Sequence, residues 1–276
     1  MPIVVNTIDE MKIVPTGGAL GAEIKGLDLA QSLPSGVVRR ICQALLEHGV
    51  IFFRNQKIRE EDQVCFTNDF GRAVEHVRKQ QPRLIKEIFI VSNVKENGVP
   101  IGALGNDEIG FHSDLSYMRQ PGTISTLYAI ELPKTGGATQ WCNCYAAYEA
   151  LNDSFKVRLK GLRAVHRHPV ESQNPPQAVD HPVVCTHPET GRKSLYVGPH
   201  LTRYIVGKSE SESRQILHQL FEHMSQSRFV WTHDWQVGDL VVWDNCATCH
   251  RREPFPPTER RIMKRTQVFN DAIPVE

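Results

Sequence analysis

His112 and Asp114 form a His-x-Asp pair, and His250, far downstream, is soon followed by Arg260, Arg261 and Arg265. If these three side chains are to meet at one ion, two remote chain segments must run to the same place. A barrel of short strands does this, because it brings residues distant in sequence to one mouth. In a strand, alternate side chains share a face, so His112 and Asp114 are expected to point the same way and Ser113 the other.

The remaining sequence agrees with a strand-rich chain. Val38, Ile41, Cys42, Leu45 and Leu46 recur at helical spacing from Ser35, and Gly49 is placed to stop that helix. Val50-Ile51-Phe52-Phe53 then reads as a buried strand, and a second helix is expected over 60–68. Strands are expected at 88–94, 126–132, 139–142, 194–197, 229–232, 240–243 and 263–269, with short helices at 145–151 and 154–160. A longer amphipathic helix covers 209–224, opened by a Ser209/Glu212 capping box. The stretch 169–182 is polar and proline-rich and reads as a long surface loop, a candidate lid. Residues 15–29 are punctuated by glycines but lack the strand-loop-helix setting and phosphate lysine of a nucleotide loop, so they read as strands and turns. The expectation is one domain over 1–276, mainly β with flanking helices, built as a jelly roll of two sheets.

Charge narrows the function. With 32 basic and 31 acidic residues, the net charge of +1 favours neither nucleic acid nor an anionic membrane as partner. Residues 1–6 show neither a basic start nor an apolar run, so no export signal or membrane span is expected. Seven cysteines without framework spacing then read as reduced thiols of a cytoplasmic enzyme. Cys246-Ala247-Thr248-Cys249-His250 matches the pattern of covalent haem attachment, or half of a zinc site. Haem attachment calls for export, and a zinc site calls for a second close pair. Cys142-x-Cys144 supplies that pair only at poor spacing, so Cys246 and Cys249 read as small core residues.

Two histidines and a carboxylate on one face of a metal leave coordination positions open, as in non-haem iron(II) oxygenases. Among 12 histidines a His-x-Asp pair alone is weak, and the arginines beyond His250 supply the further specificity. Arg261 and Arg265 share one face of a strand by period two, and a buried arginine needs an anion. The same triad also admits a zinc-dependent hydrolase, in which the metal activates water, or a non-catalytic barrel that binds an organic anion.

The segments Phe111-His-Ser-Asp-Leu-Ser-Tyr, Glu131-Leu-Pro-Lys-Thr-Gly-Gly-Ala-Thr, Tyr145-Ala-Ala-Tyr-Glu-Ala-Leu, Gly161-Leu-Arg-Ala-Val-His, Trp243-Asp-Asn and Arg260-Arg-Ile-Met-Lys-Arg closely resemble the taurine dioxygenase / 2,4-dichlorophenoxyacetate dioxygenase family. The resemblance runs in order over 14–271. It implies a double-stranded β-helix and an enzyme that uses iron(II), 2-oxoglutarate and dioxygen, releasing succinate and carbon dioxide as it hydroxylates a small organic anion. By resemblance His112, Asp114 and His250 bind the iron. Arg261 and Thr139 hold the distal carboxylate of 2-oxoglutarate, Arg265 and His76 hold the substrate anion, and Tyr117 and Leu201 wall its pocket. Halogenating relatives lack a carboxylate where Asp114 stands, so hydroxylation is expected. Relatives of this kind are often dimers or tetramers, which sets the expectation of a homo-oligomer. Phe111 replaces a common tryptophan, Ala138 a frequent aspartate and Cys246 a frequent arginine. None of these is a metal ligand. They bear on which substrate is used, a sulfonate such as taurine or a carboxylate such as a phenoxyalkanoate.

Overall fold

The computed structural model describes residues 6–269 and 274–276. The expected absence of an export signal rests on 1–6, of which 1–5 lie outside the described residues. The end of the family resemblance, 270–271, also lies outside them.

Helix α1 (Ser35–His48) forms where the periodicity predicts it, and it ends at Gly49, whose φ of 70° suits glycine. Gly49 N–H closes the helix on Leu45 O at 2.8 Å. The chain then enters Val50–Phe53, buried throughout. Its side chains alternate between two cores. Ile51 and Phe53 face α1, packing with Val37, Ile41 and Leu45, while Val50 and Phe52 face the opposite way. Strand Leu240–Asp244 does the same, sending Leu240 and Val242 to α1 and Val241 and Trp243 inward.

These strands belong to an eight-stranded sheet. Its order is Lys12–Pro15, Ala22–Lys25, Val50–Phe53, Leu240–Asp244, Gly122–Glu131, Ile262–Phe269, Phe89–Ser92 and Ala103–Leu104. A four-stranded sheet runs Val230–His233, Thr139–Asn143, Thr248–Arg252, Ile109–His112. Trp141 of the small sheet packs into the inner core with Phe52, Phe89, Leu127, Trp243 and Met263 of the large one. The chain is therefore a jelly roll of two facing sheets. Helix α2 (Glu60–Asn68) lies on the outer face of the large sheet and ties two strands together: Gln63 Nε2 donates to Thr126 Oγ1 and to Lys264 O. Thr67 and Thr126 both bond the Thr266 hydroxyl. With Thr266 held outward, period two turns Arg265 into the barrel.

The outer face of the small sheet is closed by α3 (Cys144–Glu149), α4 (Asp153–Leu159) and α5 (Glu210–Met224). The capping box of α5 forms as read, with Ser209 and Glu212 bonding each other's backbone N–H. Ile216, Leu217, Leu220 and Met224 carry its buried face, and each such side chain contributes roughly 1.5–3 kcal/mol of burial. The proline-rich stretch is less loop than its composition implies: a short 3-10 turn spans Glu171–Gln173, and Val179–Pro182 pairs with Arg163–His166. No helix among the described residues is long and apolar enough to cross a membrane.

Candidate active site

Strand Thr248–Arg252 sits between Thr139–Asn143 and Ile109–His112, and its register places His250 opposite both Trp141 and His112. This pairing closes the long sequence gap. One ligand atom from each of His112, Asp114 and His250 lies within 4.8 Å of the others. The two imidazole rings are 4.3 Å apart, and His112 Nε2 is 3.8 Å from Asp114 Oδ1. His112 Nδ1–H donates to Gly110 O at 2.8 Å, which leaves Nε2 unprotonated and able to bind a metal. Burial holds His112 at about 3 and His250 at about 4, so both are neutral near pH 7.

Asp114 is not on a strand. The strand ends at His112, and Leu115 takes a φ of 57° as the chain turns away. The simple alternation argument therefore fails here. Instead Asp114 is held by other groups. Its N–H donates to Asn245 Oδ1, and Ser125 Oγ donates to its Oδ2 at 2.7 Å. Asn245 and Gln267 each donate a side-chain N–H to Ser125 Oγ, so the serine proton is committed to the carboxylate. Arg265 Nη1 donates to Asp114 Oδ1 at 3.2 Å. Burial pushes the Asp114 carboxyl up, but Arg265 and the two histidines outweigh it and hold the group below its usual range. Ser125, Asn245 and Gln267 were not foreseen as site residues. Only Asn245 carried a signal, in the Trp243-Asp244-Asn245 segment.

Arg261 contrasts with this. It is 1% exposed, yet its guanidinium has no hydrogen-bond partner among the described residues, and its Nε is buried unsatisfied. Burial and the neighbouring Arg252 lower it to about 9. Arg252 is itself buried and, among the described residues, pairs with no carboxylate side chain; it donates to the backbone oxygens of Leu104 and Asp107. Thr139 lies opposite Arg252 in the register, behind the Gly136-Gly137 turn. A Cβ on Gly136 would stand 2.4 Å from Pro254 O, so the turn requires glycine there.

A cavity of about 330 Å³ opens beside the triad. Arg265, His76, Tyr117 and Leu201 line it, together with Phe89, His168, His200 and Val170. Tyr117 and Leu201 pack on each other and on Leu115. His76 is boxed in by donors: Arg78 N–H points at Nδ1 (2.9 Å) and Arg265 Nη2 at Nε2 (2.7 Å). Burial, with Arg265, lowers His76 to about 3, so the ring is neutral and accepts at one nitrogen only. One of the two contacts therefore sets a proton against a proton. Of the nine side chains singled out from the sequence, His76, His112, Asp114, Tyr117, Leu201 and Arg265 line this cavity, whereas Thr139, His250 and Arg261 are buried outside its lining.

The haem-like motif does not act as a pair. His250 turns inward, whereas Cys249 faces the outer core and meets Cys142 and Cys144, with sulfurs within 4.8 Å of one another. The cysteines are free thiols, and Cys246 stands apart from that cluster.

Comparison with known proteins decides the lineage. Residues 12–267 match the family described as Taurine catabolism dioxygenase TauD, TfdA family. The chain belongs to this family. Its relatives include the alpha-ketoglutarate-dependent 2,4-dichlorophenoxyacetate dioxygenase of Burkholderia sp. (strain RASC), 33% identical over 88% of this chain and 89% of that one. The alkylsulfatase of Acinetobacter baylyi (strain ATCC 33305 / BD413 / ADP1) is 32% identical over 94% and 85%. Among solved structures, a taurine dioxygenase from Burkholderia xenovorans superposes with a TM-score of 0.83 at 31% identity, covering 97% of each chain. AAD-2 in complex with Mn(II) and N-oxalylglycine gives 0.84 at 30%, covering 96% and 99%. The protein is thus an oxidoreductase, an iron(II)- and 2-oxoglutarate-dependent dioxygenase of the TauD/TfdA family that uses dioxygen and acts on a small molecule.

Proposed function

We propose that His112, Asp114 and His250 hold the iron, that Arg261 and Thr139 take the distal carboxylate of 2-oxoglutarate, and that the adjoining cavity admits a small organic anion for hydroxylation. The observation that carries the reading is Arg261: a buried cation whose guanidinium has no partner among the described residues calls for an anion from a ligand. With iron(II), 2-oxoglutarate and dioxygen bound, the site has the oxidising power to replace a substrate C–H by C–OH, while 2-oxoglutarate is converted to succinate and carbon dioxide.

The residues of the chain do the placing. Gly110 O and Ser125 Oγ fix the faces that His112 and Asp114 present. Arg265 and His76 form the second anion station. An anionic oxygen inserted between them accepts a proton from each and removes the clash between their donors. The rings of Phe89, Tyr117, His168 and His200 and the side chain of Leu201 give the cavity apolar and aromatic walls, which favour a carboxylate or sulfate ester with a flat apolar body over a short sulfonate. The relatives named for 2,4-dichlorophenoxyacetate and (S)-phenoxypropionate belong to that class. Pro169, Val170 and Gln173 line the mouth, and the stretch ahead of the paired strand Val179–Pro182 acts as the lid. A zinc hydrolase leaves Arg261 and Thr139 idle, and an anion-binding barrel has no use for Asp114.

The test is a panel of aryloxyalkanoates, alkyl sulfates and sulfonates scored by succinate formation coupled to detection of the oxidised product. The expected result is coupled turnover with aryl or alkyl anions and little with taurine. Equal turnover of neutral analogues would refute the anion station.

A further inference from the structure

Thr139 does not stand alone. Trp235 Nε1–H donates to Thr139 Oγ1 at 3.0 Å. An indole N–H only donates, so the threonine oxygen is the acceptor there, and the single hydroxyl proton of Thr139 is left for another partner. A carboxylate only accepts, so the two requirements match. Trp235 is itself held firmly. It packs against the inner core, and its ring meets His233 edge-on, 4.6 Å between centroids at 86°. His233 is the register partner of Thr139 and is tied to Asp239 by a 2.8 Å hydrogen bond. The same Asp239 oxygen accepts from Gln236 N–H and from Arg54, which closes the turn that carries Trp235.

We infer that Trp235 is a positioning residue for the co-substrate: it fixes the Thr139 hydroxyl as a donor aimed at the distal carboxylate of 2-oxoglutarate. The inference rests on the assignment of Thr139 and Arg261 made above. Without the indole N–H, the Thr139 proton is free to turn to other acceptors, and the hydroxyl must be reoriented each time 2-oxoglutarate binds.

The experiment measures the affinity of Mn(II)-loaded enzyme for 2-oxoglutarate and for 2-oxopentanoate, which lacks the distal carboxylate, by calorimetry. Trp235→Phe keeps the ring and deletes the N–H. It is expected to weaken 2-oxoglutarate roughly three- to ten-fold, the effect of one neutral hydrogen bond, and to leave 2-oxopentanoate unchanged. In steady-state assays the loss should fall on KM more than on kcat. The double variant Trp235→Phe/Thr139→Val should bind 2-oxoglutarate no more weakly than Thr139→Val alone, because the indole acts through the hydroxyl. Equal weakening of both ligands, no weakening of either, or additive losses in the double variant would each overturn the inference. If Thr139→Val itself leaves 2-oxoglutarate affinity intact, the assignment of Thr139 falls and the inference with it. If Thr139→Val weakens binding and Trp235→Phe does not, only the role of Trp235 falls.

Discussion

Asp114 and Arg261 are both buried charges, and the chain treats them in opposite ways. Asp114 is surrounded: Ser125 and Arg265 donate to its carboxylate, and Asn245 fixes its backbone N–H. Arg261 is left with no partner for its guanidinium among the described residues. An unpaired buried charge costs several kcal/mol. On the proposed assignment, the comparison separates a preformed metal ligand from a receptor for the co-substrate's carboxylate.

The comparison breaks most visibly at the triad. Asp114→Ala, like His112→Ala, should abolish turnover and metal binding, measured by metal titration, while the fold persists by circular dichroism. Stoichiometric metal binding by a variant lacking all three ligands would place the iron elsewhere. Arg261→Ala comes next. Losing a hydrogen bond to a charged group costs about 1.5–3 kcal/mol, so the 2-oxoglutarate concentration for half-maximal rate should rise by roughly one to two orders of magnitude. Because the Arg261 guanidinium has no partner among the described residues, the same variant should lose little thermal stability. A large drop in melting temperature with unchanged 2-oxoglutarate dependence would make Arg261 a structural residue. Ser125→Ala is the mildest. Residues that orient metal ligands typically matter about ten-fold or more in metal affinity, so about a ten-fold weaker metal affinity is expected, with the 2-oxoglutarate requirement little changed at saturating metal.

Much of the fold was legible because its signals are local. The α1 periodicity with Gly49, the apolar run 50–53, the boundaries of α2 and the Ser209/Glu212 capping box each need only a short window. The Thr248–Arg252 strand was not read, because Cys-Ala-Thr-Cys-His-Arg-Arg alternates poorly and imitates a metal or haem motif. Its one thiol, Cys249, packs outward into the α5 core, while His250 turns inward to the triad. The strand at Val179–Pro182 was hidden by polar residues and prolines. At the site, spacing and resemblance pointed to His112, Asp114 and His250, whose ligand atoms the fold brings within 4.8 Å of one another. Ser125 and Gln267, which help hold Asp114, were not legible: they lie within two strands, and polar residues within strands announce no partner until register is known.

On the proposed reading, two separate anion stations flank the metal, Arg261 for the co-substrate and Arg265 for the substrate. The most direct test is Arg265→Gln, with carbon dioxide release from 2-oxoglutarate measured with and without the best anionic substrate. At saturating metal, which offsets the loss of the Arg265–Asp114 contact, the slow substrate-free release is expected to survive while the substrate-stimulated release and product formation collapse. If both rates fall in the same proportion, Arg265 belongs to the metal and co-substrate machinery and the two-station account is wrong.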